Sequence, residues 1–200
     1  KTKTIIDIVN IMNGFGLVNS VLVVVPLSII DTWTEQLRQH SEKDYIECCL
    51  VGSKTEKLKR IGAFTRYNGK EVRWTLINPE GLVVIKECVK TIKFDMAVVD
   101  ESTTIKNHTA NRSKMVKLIN SKYKIIASGN PIPKCNGEIF SQYEFLDSGI
   151  YGNYFYKFRE RYFALDHFKG IKDFITSSRK IEYLEKFHSV SFVVKKEDCL

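Results

Sequence analysis

Asp100 and Glu101 stand side by side after an apolar run, Met96 to Val99, and lead into Ser102, Thr103, Thr104, Ile105, Lys106 and Asn107. An apolar strand with adjacent carboxylates at its tip is an arrangement used by nucleotide hydrolases. There the first carboxylate holds the magnesium shell and the second accepts a proton from the attacking water. Such pairs also occur as favourable charge at a helix N-terminus, so the dipeptide alone leaves both readings open. The start of the chain suggests related chemistry. Lys1 and Thr2 run directly into an Ile-rich amphipathic segment. A phosphate-binding loop ends in this way, its Lys reaching the β and γ phosphates and its Thr hydroxyl binding magnesium. The glycines of such a loop do not precede them in the sequence, and a Lys–Thr pair alone carries little information. The five cysteines, Cys48, Cys49, Cys88, Cys135 and Cys199, form no CxxC pair, and the four histidines are scattered. That spacing builds neither a zinc knuckle nor a disulfide framework, which leaves reduced structural thiols in a cytoplasmic protein as the reading.

These residues need elements to position them. Ile5, Ile6, Ile8, Val9 and Met12 recur at helical spacing, with Asn13 and Gly14 as the stop. Val21 to Val25 is a β-branched-rich run ending at Pro26, which predicts a strand buried on both faces. Helices are then predicted at 31–40, 54–61, 79–89 and 109–119, and strands at 46–51, 72–78, 95–100 and 123–128. Strands alternating with helices predict βαβ crossovers and a parallel sheet covered on both faces, with ligands at the carboxyl ends of the strands. After Gly137 the texture changes to aromatic-rich helices at 139–147, 154–163 and 179–187, with a short strand at 191–194. The fold expected is α/β, a mostly parallel sheet flanked by helices, with a helical C-terminal extension.

The 200 residues suit one ordinary domain, and a hydrophobic content of 44% with 27% charged residues excludes a disordered or fibrous chain. No apolar run is long enough to span a bilayer as a helix, so no membrane partner is expected; no secretory leader is expected either. A chain opening on Lys1 rather than Met is expected to belong to a longer one. The formal charge of +8 favours an anionic partner, nucleic acid before a membrane surface or an acidic protein. The densest positive segment holds Lys54, Lys57, Lys59, Arg60, Arg66, Lys70 and Arg73, against Glu56 and Glu71. It reads either as a phosphate-tracking surface or as a solvated helix face.

Taken in order, these pieces resemble the first RecA-like lobe of superfamily 2 helicases and translocases, the Swi/Snf-type branch with its phage and bacterial relatives. Val23 to Leu27 with Trp33, Glu35 and Gln36 resembles motif Ia of that family, and "LINPEGL", Leu76 to Leu82, the strand and turn after it. "VVDESTTIKN", Val98 to Asn107, resembles motif II, the DEAD/DEAH-like box. "ASGNPIPKCNGEIFSQYEFLDSGIYG", Ala127 to Gly152, resembles motif III and the helix behind it. "FVVKKEDCL", Phe192 to Leu200, resembles the stretch that closes the lobe. The likeness covers essentially the whole chain.

The resemblance implies a RecA-like P-loop NTPase lobe over residues 1–150, with its first strand and most of its phosphate loop missing. Residues 151–200 would then lead to a second RecA-like lobe of the same parent chain. It implies ATP and Mg2+ as ligands, with Lys1 and Thr2 as phosphate-loop Lys and magnesium-binding Thr. Asp100 would hold magnesium and Glu101 would polarise the hydrolytic water. Ser128, Gly129 and Asn130 would belong to the motif linking ATP state to nucleic-acid grip. Asn130 stands where Thr is usual, and Ser102 with Thr103 replaces the residues that elsewhere bring a His contact between motifs II and III. The function implied is an ATP-dependent DNA helicase or translocase tracking double-stranded DNA, in the cytoplasm of a bacterium or a phage-infected cell. Lys54, Lys57, Lys59 and Arg60 are its candidate nucleic-acid contacts, and this chain alone is expected to be inactive. The alternatives are a degenerate DNA-binding or scaffold lobe, or the motor subunit of a restriction-type system. Trp33, Gln142 and Tyr143 read as packing residues, Lys106 and Asn107 as either loop caps or functional groups. The aromatic set Tyr151, Tyr154, Phe155, Tyr156, Phe158, Tyr162 and Phe163 reads as core rather than a stacking platform.

Overall fold

The computed structural model describes residues 1–166 and 170–194. Five parallel strands form the central sheet: β1 (Ser20–Val24), β2 (Tyr45–Cys49), β3 (Val72–Ile77), β4 (Lys93–Asp100) and β5 (Asn120–Ala127). Their spatial order is β2-β3-β1-β4-β5. Going from β3 to β4 the chain therefore crosses over β1, which opens a crevice at the carboxyl ends of β1 and β4, where open α/β sheets place their ligands.

Side-chain alternation divides the core into two layers. Val21 and Val23 of β1 and Val25 just after it, with Met96 and Val98 of β4, meet α1 (Thr2–Gly14) and α2 (Ile30–His40) through Ile5, Ile6, Val9, Trp33 and Leu37. Leu22 and Val24 point the other way with Ala97 and Val99, toward a layer that includes Ile61, Leu82, Val89, Val116 and Phe145. Those residues come from α3 (Lys54–Thr65), α4 (Pro79–Val84), α5 (Lys86–Thr91), α6 (Asn111–Val116) and α7 (Ile139–Leu146). With both faces covered, all five residues of β1 are buried, as its unbroken apolar run requires.

The predicted helix at 79–89 breaks in two at Ile85, whose φ of −105° and ψ of 24° leave the helical well. Consecutive β-branched residues, Val83, Val84 and Ile85, disfavour a continuous helix there. The helix predicted at 109–119 is shorter, because Asn107 Oδ1 accepts from the Thr109 N–H and hydroxyl and so holds Thr109 in a turn.

Beyond the sheet, α7, α8 (Ser148–Tyr151), α9 (Phe155–Tyr162) and α10 (Ser177–His188) close on an aromatic cluster that includes Phe140, Tyr143, Tyr151, Phe158, Tyr162, Phe163 and Tyr183. This bears out the core reading for most of the aromatic run, while Tyr154 and Tyr156 remain exposed. The extension is not purely helical. An antiparallel hairpin, β6 (Phe163–Asp166) with β7 (Gly170–Phe174), lies between α9 and α10. The predicted strand at 191–194 does not form; Phe192 is exposed there, and a strand needs a ladder partner. Residues 195–200 of the lobe-closing stretch, Cys199 among them, lie outside the described residues.

Candidate active site

Alternation along β4 decides where Asp100 goes. It follows Met96 and Val98 onto the face covered by α1 and α2, where Trp33 of α2 is packed. The Trp33 indole Nε1 donates to Asp100 Oδ2 at 2.8 Å, and Asp100 is only 4% exposed. Oδ1 accepts the Glu101 backbone N–H at 2.9 Å. The buried carboxylate is thus held by one donor at each oxygen, the condition for leaving a charge inside a protein. Trp33 proves to be the packing residue expected and also a donor, a role its apolar spacing did not reveal.

Lys1, the N-cap of α1, comes from the same face. Its ammonium pairs with Glu101 Oε1 and lies 4.0 Å from Asp100 Oδ1. Thr2 follows in the first turn of α1, half-buried. Residues 1, 100 and 101 therefore meet in one corner, with a cation set against two carboxylates.

Glu101 leaves the strand with φ 50° and ψ 58°, the one non-glycine residue at positive φ among the described residues. That left-handed conformation costs an ordinary residue about 1–2 kcal/mol. It takes Glu101 out of the strand alternation, and its side chain helps line a cleft of about 410 Å³ with Lys106, Arg112, Ser128, Gly129 and Asn130. Asn130 is engaged in its own loop. Its N–H donates to Ser128 Oγ at 3.2 Å, and its Oδ1 accepts the Ile132 N–H at 3.2 Å. The amide thus serves as a turn-forming group. Lys106 is more than a loop cap: its ammonium pairs with Glu138 Oε1 at 2.8 Å. Asn107 is the cap, through Thr109.

The basic candidates behave differently. Helix α3 begins in a capping box, Ser53 accepting from Glu56 N–H while Glu56 accepts from Ser53 N–H. Those hydrogen bonds hold the Glu56 carboxyl below its ordinary range. Lys57 is 7% exposed, and its ammonium bonds to Gly52 O. A side chain at Gly81 would come within 2.6 Å of Asn78 Oδ1 and 3.1 Å of Lys57 Cε, so this glycine makes room for the Asn78 amide and for the buried lysine stem. Lys57 is therefore withdrawn as a nucleic-acid contact. Arg60 donates to Cys49 O at 2.9 Å but stays exposed, as do Lys54 and Lys59, so three of the four candidates still face solvent.

A magnesium nucleotide suits the donor set of the corner. Magnesium keeps waters and takes phosphate oxygens, needing only one or two carboxylates from the protein. One buried, oriented carboxylate, a second at the cleft and a lysine at a helix start meet that demand. No group of three or more His, Cys, Asp or Glu among the described residues forms a cage for a metal ion. Among the same residues, no helix is long and apolar enough to cross a membrane.

Comparison with known proteins agrees with this geometry. A model of the SNF2-related domain matches residues 1–184. Human TATA-binding protein-associated factor 172 is 28% identical over 80% of this chain, and an uncharacterized ATP-dependent helicase, YqhH, of Bacillus subtilis is 24% identical over 80%. The chain spans only 8% of the first and 27% of the second. The SWI2/SNF2 ATPase core domain of Sulfolobus solfataricus superposes with a TM-score of 0.62 at 22% identity, over 90% of this chain and 34% of its own. The same core in complex with double-stranded DNA superposes with a TM-score of 0.58 at 19% identity, over 78% of this chain and 37% of its own. The fold is a RecA-like lobe, and the chain belongs to the SNF2-related domain family.

Proposed function

We propose that this chain is the first lobe of an ATP-driven motor that tracks double-stranded DNA, and that the Lys1–Asp100–Glu101 corner is its hydrolytic half-site. The observation that carries the reading is the convergence of Lys1 with Asp100 and Glu101, which follow it by about a hundred positions, on the crevice where strand order reverses.

Asp100 and Thr2 would hold magnesium, which when bound neutralises phosphate charge and orients the terminal phosphate. Trp33 and the Glu101 N–H fix the Asp100 carboxylate, so little reorganisation remains when the nucleotide arrives. At rest Lys1 and Glu101 hold each other. Phosphate oxygens compete for the Lys1 ammonium and leave Glu101 Oε1 free to accept a proton from the attacking water. Ser128, Gly129 and Asn130 share the cleft with Glu101, a placement suited to a loop that responds to the nucleotide. The domain arrangement proposed is an ATP-binding lobe at 1–150, then a segment leading to a second lobe that supplies further charge to the phosphates. DNA as partner is supported by the relatives: a solved Sulfolobus core is described in complex with double-stranded DNA. Lys54, Lys59 and Arg60 remain candidates to contact its backbone.

A steady-state ATPase assay with and without linear duplex DNA tests the reading. The full-length protein is expected to turn over ATP faster with DNA, and the 200-residue chain alone negligibly. Robust DNA-stimulated turnover by the isolated chain would overturn the half-site reading.

A further inference from the structure

The loop after β4 and the loop after β5 line one cleft, yet among the described residues no side-chain hydrogen bond runs directly between 101–107 and 128–134. Both loops are instead tied to the start of α7. Gln142, 0% exposed, accepts from the Ser102 hydroxyl at 2.6 Å. Its amide nitrogen donates to Pro131 O at 2.7 Å and to Glu138 O at 3.1 Å. One turn earlier, Glu138 repeats the pattern with charge. Its carboxylate takes the Lys106 ammonium at 2.8 Å and the Lys134 N–H at 3.1 Å.

The Gln142 amide can sit only one way. Reversed, its oxygen would face two carbonyl oxygens, so both N–H bonds point at 131 and 138 and the oxygen points at Ser102. Ser102, equally buried, must then donate its hydrogen to Gln142. One buried partner, Ser102, and two half-buried carbonyls are thereby satisfied by one side chain. Ser102 adjoins Glu101, and Pro131 adjoins Asn130. A shift of the carboxylate tip must therefore either carry the 128–131 loop with it or break a buried bond, which is the behaviour of a two-state link rather than of passive filling.

We infer that Gln142, acting through Ser102 and Pro131 O, is a positioning residue that couples the Asp100–Glu101 tip to the 128–134 loop. The inference rests on the motor reading above and deepens it.

The test compares wild type, Gln142→Leu, Ser102→Ala and the double variant in the full-length protein. It reads ATP turnover with and without linear duplex DNA, KM for ATP, and amide exchange of residues 128–134. Gln142→Leu is expected to lower the ratio of DNA-stimulated to DNA-free turnover at least about fivefold, with KM for ATP changed less than about twofold. Exchange in 128–134 rises. Ser102→Ala, a smaller change that keeps the fold if Gln142→Leu does not, lowers the ratio in the same direction. The double variant is no worse than Gln142→Leu, because the two residues share one bond. If both single variants melt earlier while the ratio and the exchange of 128–134 stay as in wild type, Gln142 is only a packing group and the inference fails alone. A wild type with no ATP turnover on any duplex overturns the motor reading and this inference together.

Discussion

Two charged regions of the molecule differ in sequence and in space in opposite ways. Lys54 to Arg73 is a run of positive charge that any scan of the sequence finds, and of its seven basic residues folding buries only Lys57. One lysine is buried against Gly81, one arginine closes on Cys49 O, and Lys54 and Lys59 face solvent. Lys1 stands about a hundred positions before the Asp100–Glu101 pair and is unremarkable by itself, yet folding brings all three within one ion-paired corner. Density along the chain measures charge; convergence across strands makes a site. The reason is β4 alternation, which puts Asp100 on the face of Trp33 and Lys1, and the left-handed Glu101, which opens the second carboxylate to the cleft.

The largest way to break this contrast is Asp100→Asn in the full-length protein. Losing the charge beside the phosphates removes several kcal/mol of stabilisation and lowers DNA-stimulated ATP turnover at least about a hundredfold. The amide oxygen can accept from Trp33 or from the Glu101 N–H but not from both, so the variant also loses about 1–3 kcal/mol of stability, and its turnover is compared at a temperature where it is fully folded.

Next in size is the pair Trp33→Phe and Trp74→Phe, which separates a working indole N–H from an idle one. The two rings sit 6.3 Å apart in one layer, but Trp74 Nε1 has no hydrogen-bond partner among the described residues. Trp33→Phe strands Asp100 Oδ2 and costs about 1–3 kcal/mol in a denaturant titration. Trp74→Phe costs less, because it removes an unsatisfied donor along with ring volume. Equal losses would contradict the role given to Trp33.

A smaller effect divides the basic run itself. Lys54→Ala with Lys59→Ala weakens duplex binding and reduces the slope of log affinity against log salt by about 2. Lys57→Met leaves both affinity and slope alone and changes only the melting temperature, since its ammonium already serves Gly52 O. A salt slope that falls with Lys57→Met would return that residue to the binding surface.

The smallest effect sharpens the comparison from the other side, because charges also converge where no chemistry is expected. Glu182 sits among Arg161, Arg179 and Tyr162. Burial pushes its carboxyl up, but the hydrogen bonds from these partners outweigh burial and hold it at about 2. The folded value lies below the unfolded one, about 4.3, so the stabilisation is complete above that pH and is lost as pH falls through 2. The difference in unfolding temperature between wild type and Glu182→Gln should be constant from pH 7 to 5 and shrink toward pH 2.5. A gap that widens on acidification would contradict the sign.

Much of this was legible because the pattern rests on periodicity. The apolar runs of β1 and β4 and the Ile spacing of α1 declare a covered parallel sheet, and the sheet in turn says where Asp100 and Glu101 must emerge. What was not legible depends on partners far along the chain. Nothing in a lone Trp33 or Gln142 distinguishes an apolar contact from a hydrogen bond across 67 or 40 residues. The burial of Lys57 needs Gly81 on another helix, and the hairpin at 163–174 hides in an aromatic run whose helical and extended spacings overlap. Val193 and Val194 favour a strand locally, and among the described residues no ladder answers them.

The most direct test of the corner is Glu101→Gln in the full-length protein, with ATP binding and single-turnover hydrolysis measured side by side in the presence of duplex DNA. The account predicts binding within about threefold of wild type and hydrolysis slower by at least about a hundredfold, the loss expected when a general base is removed. A variant that binds ATP and hydrolyses it at the wild-type rate would contradict it.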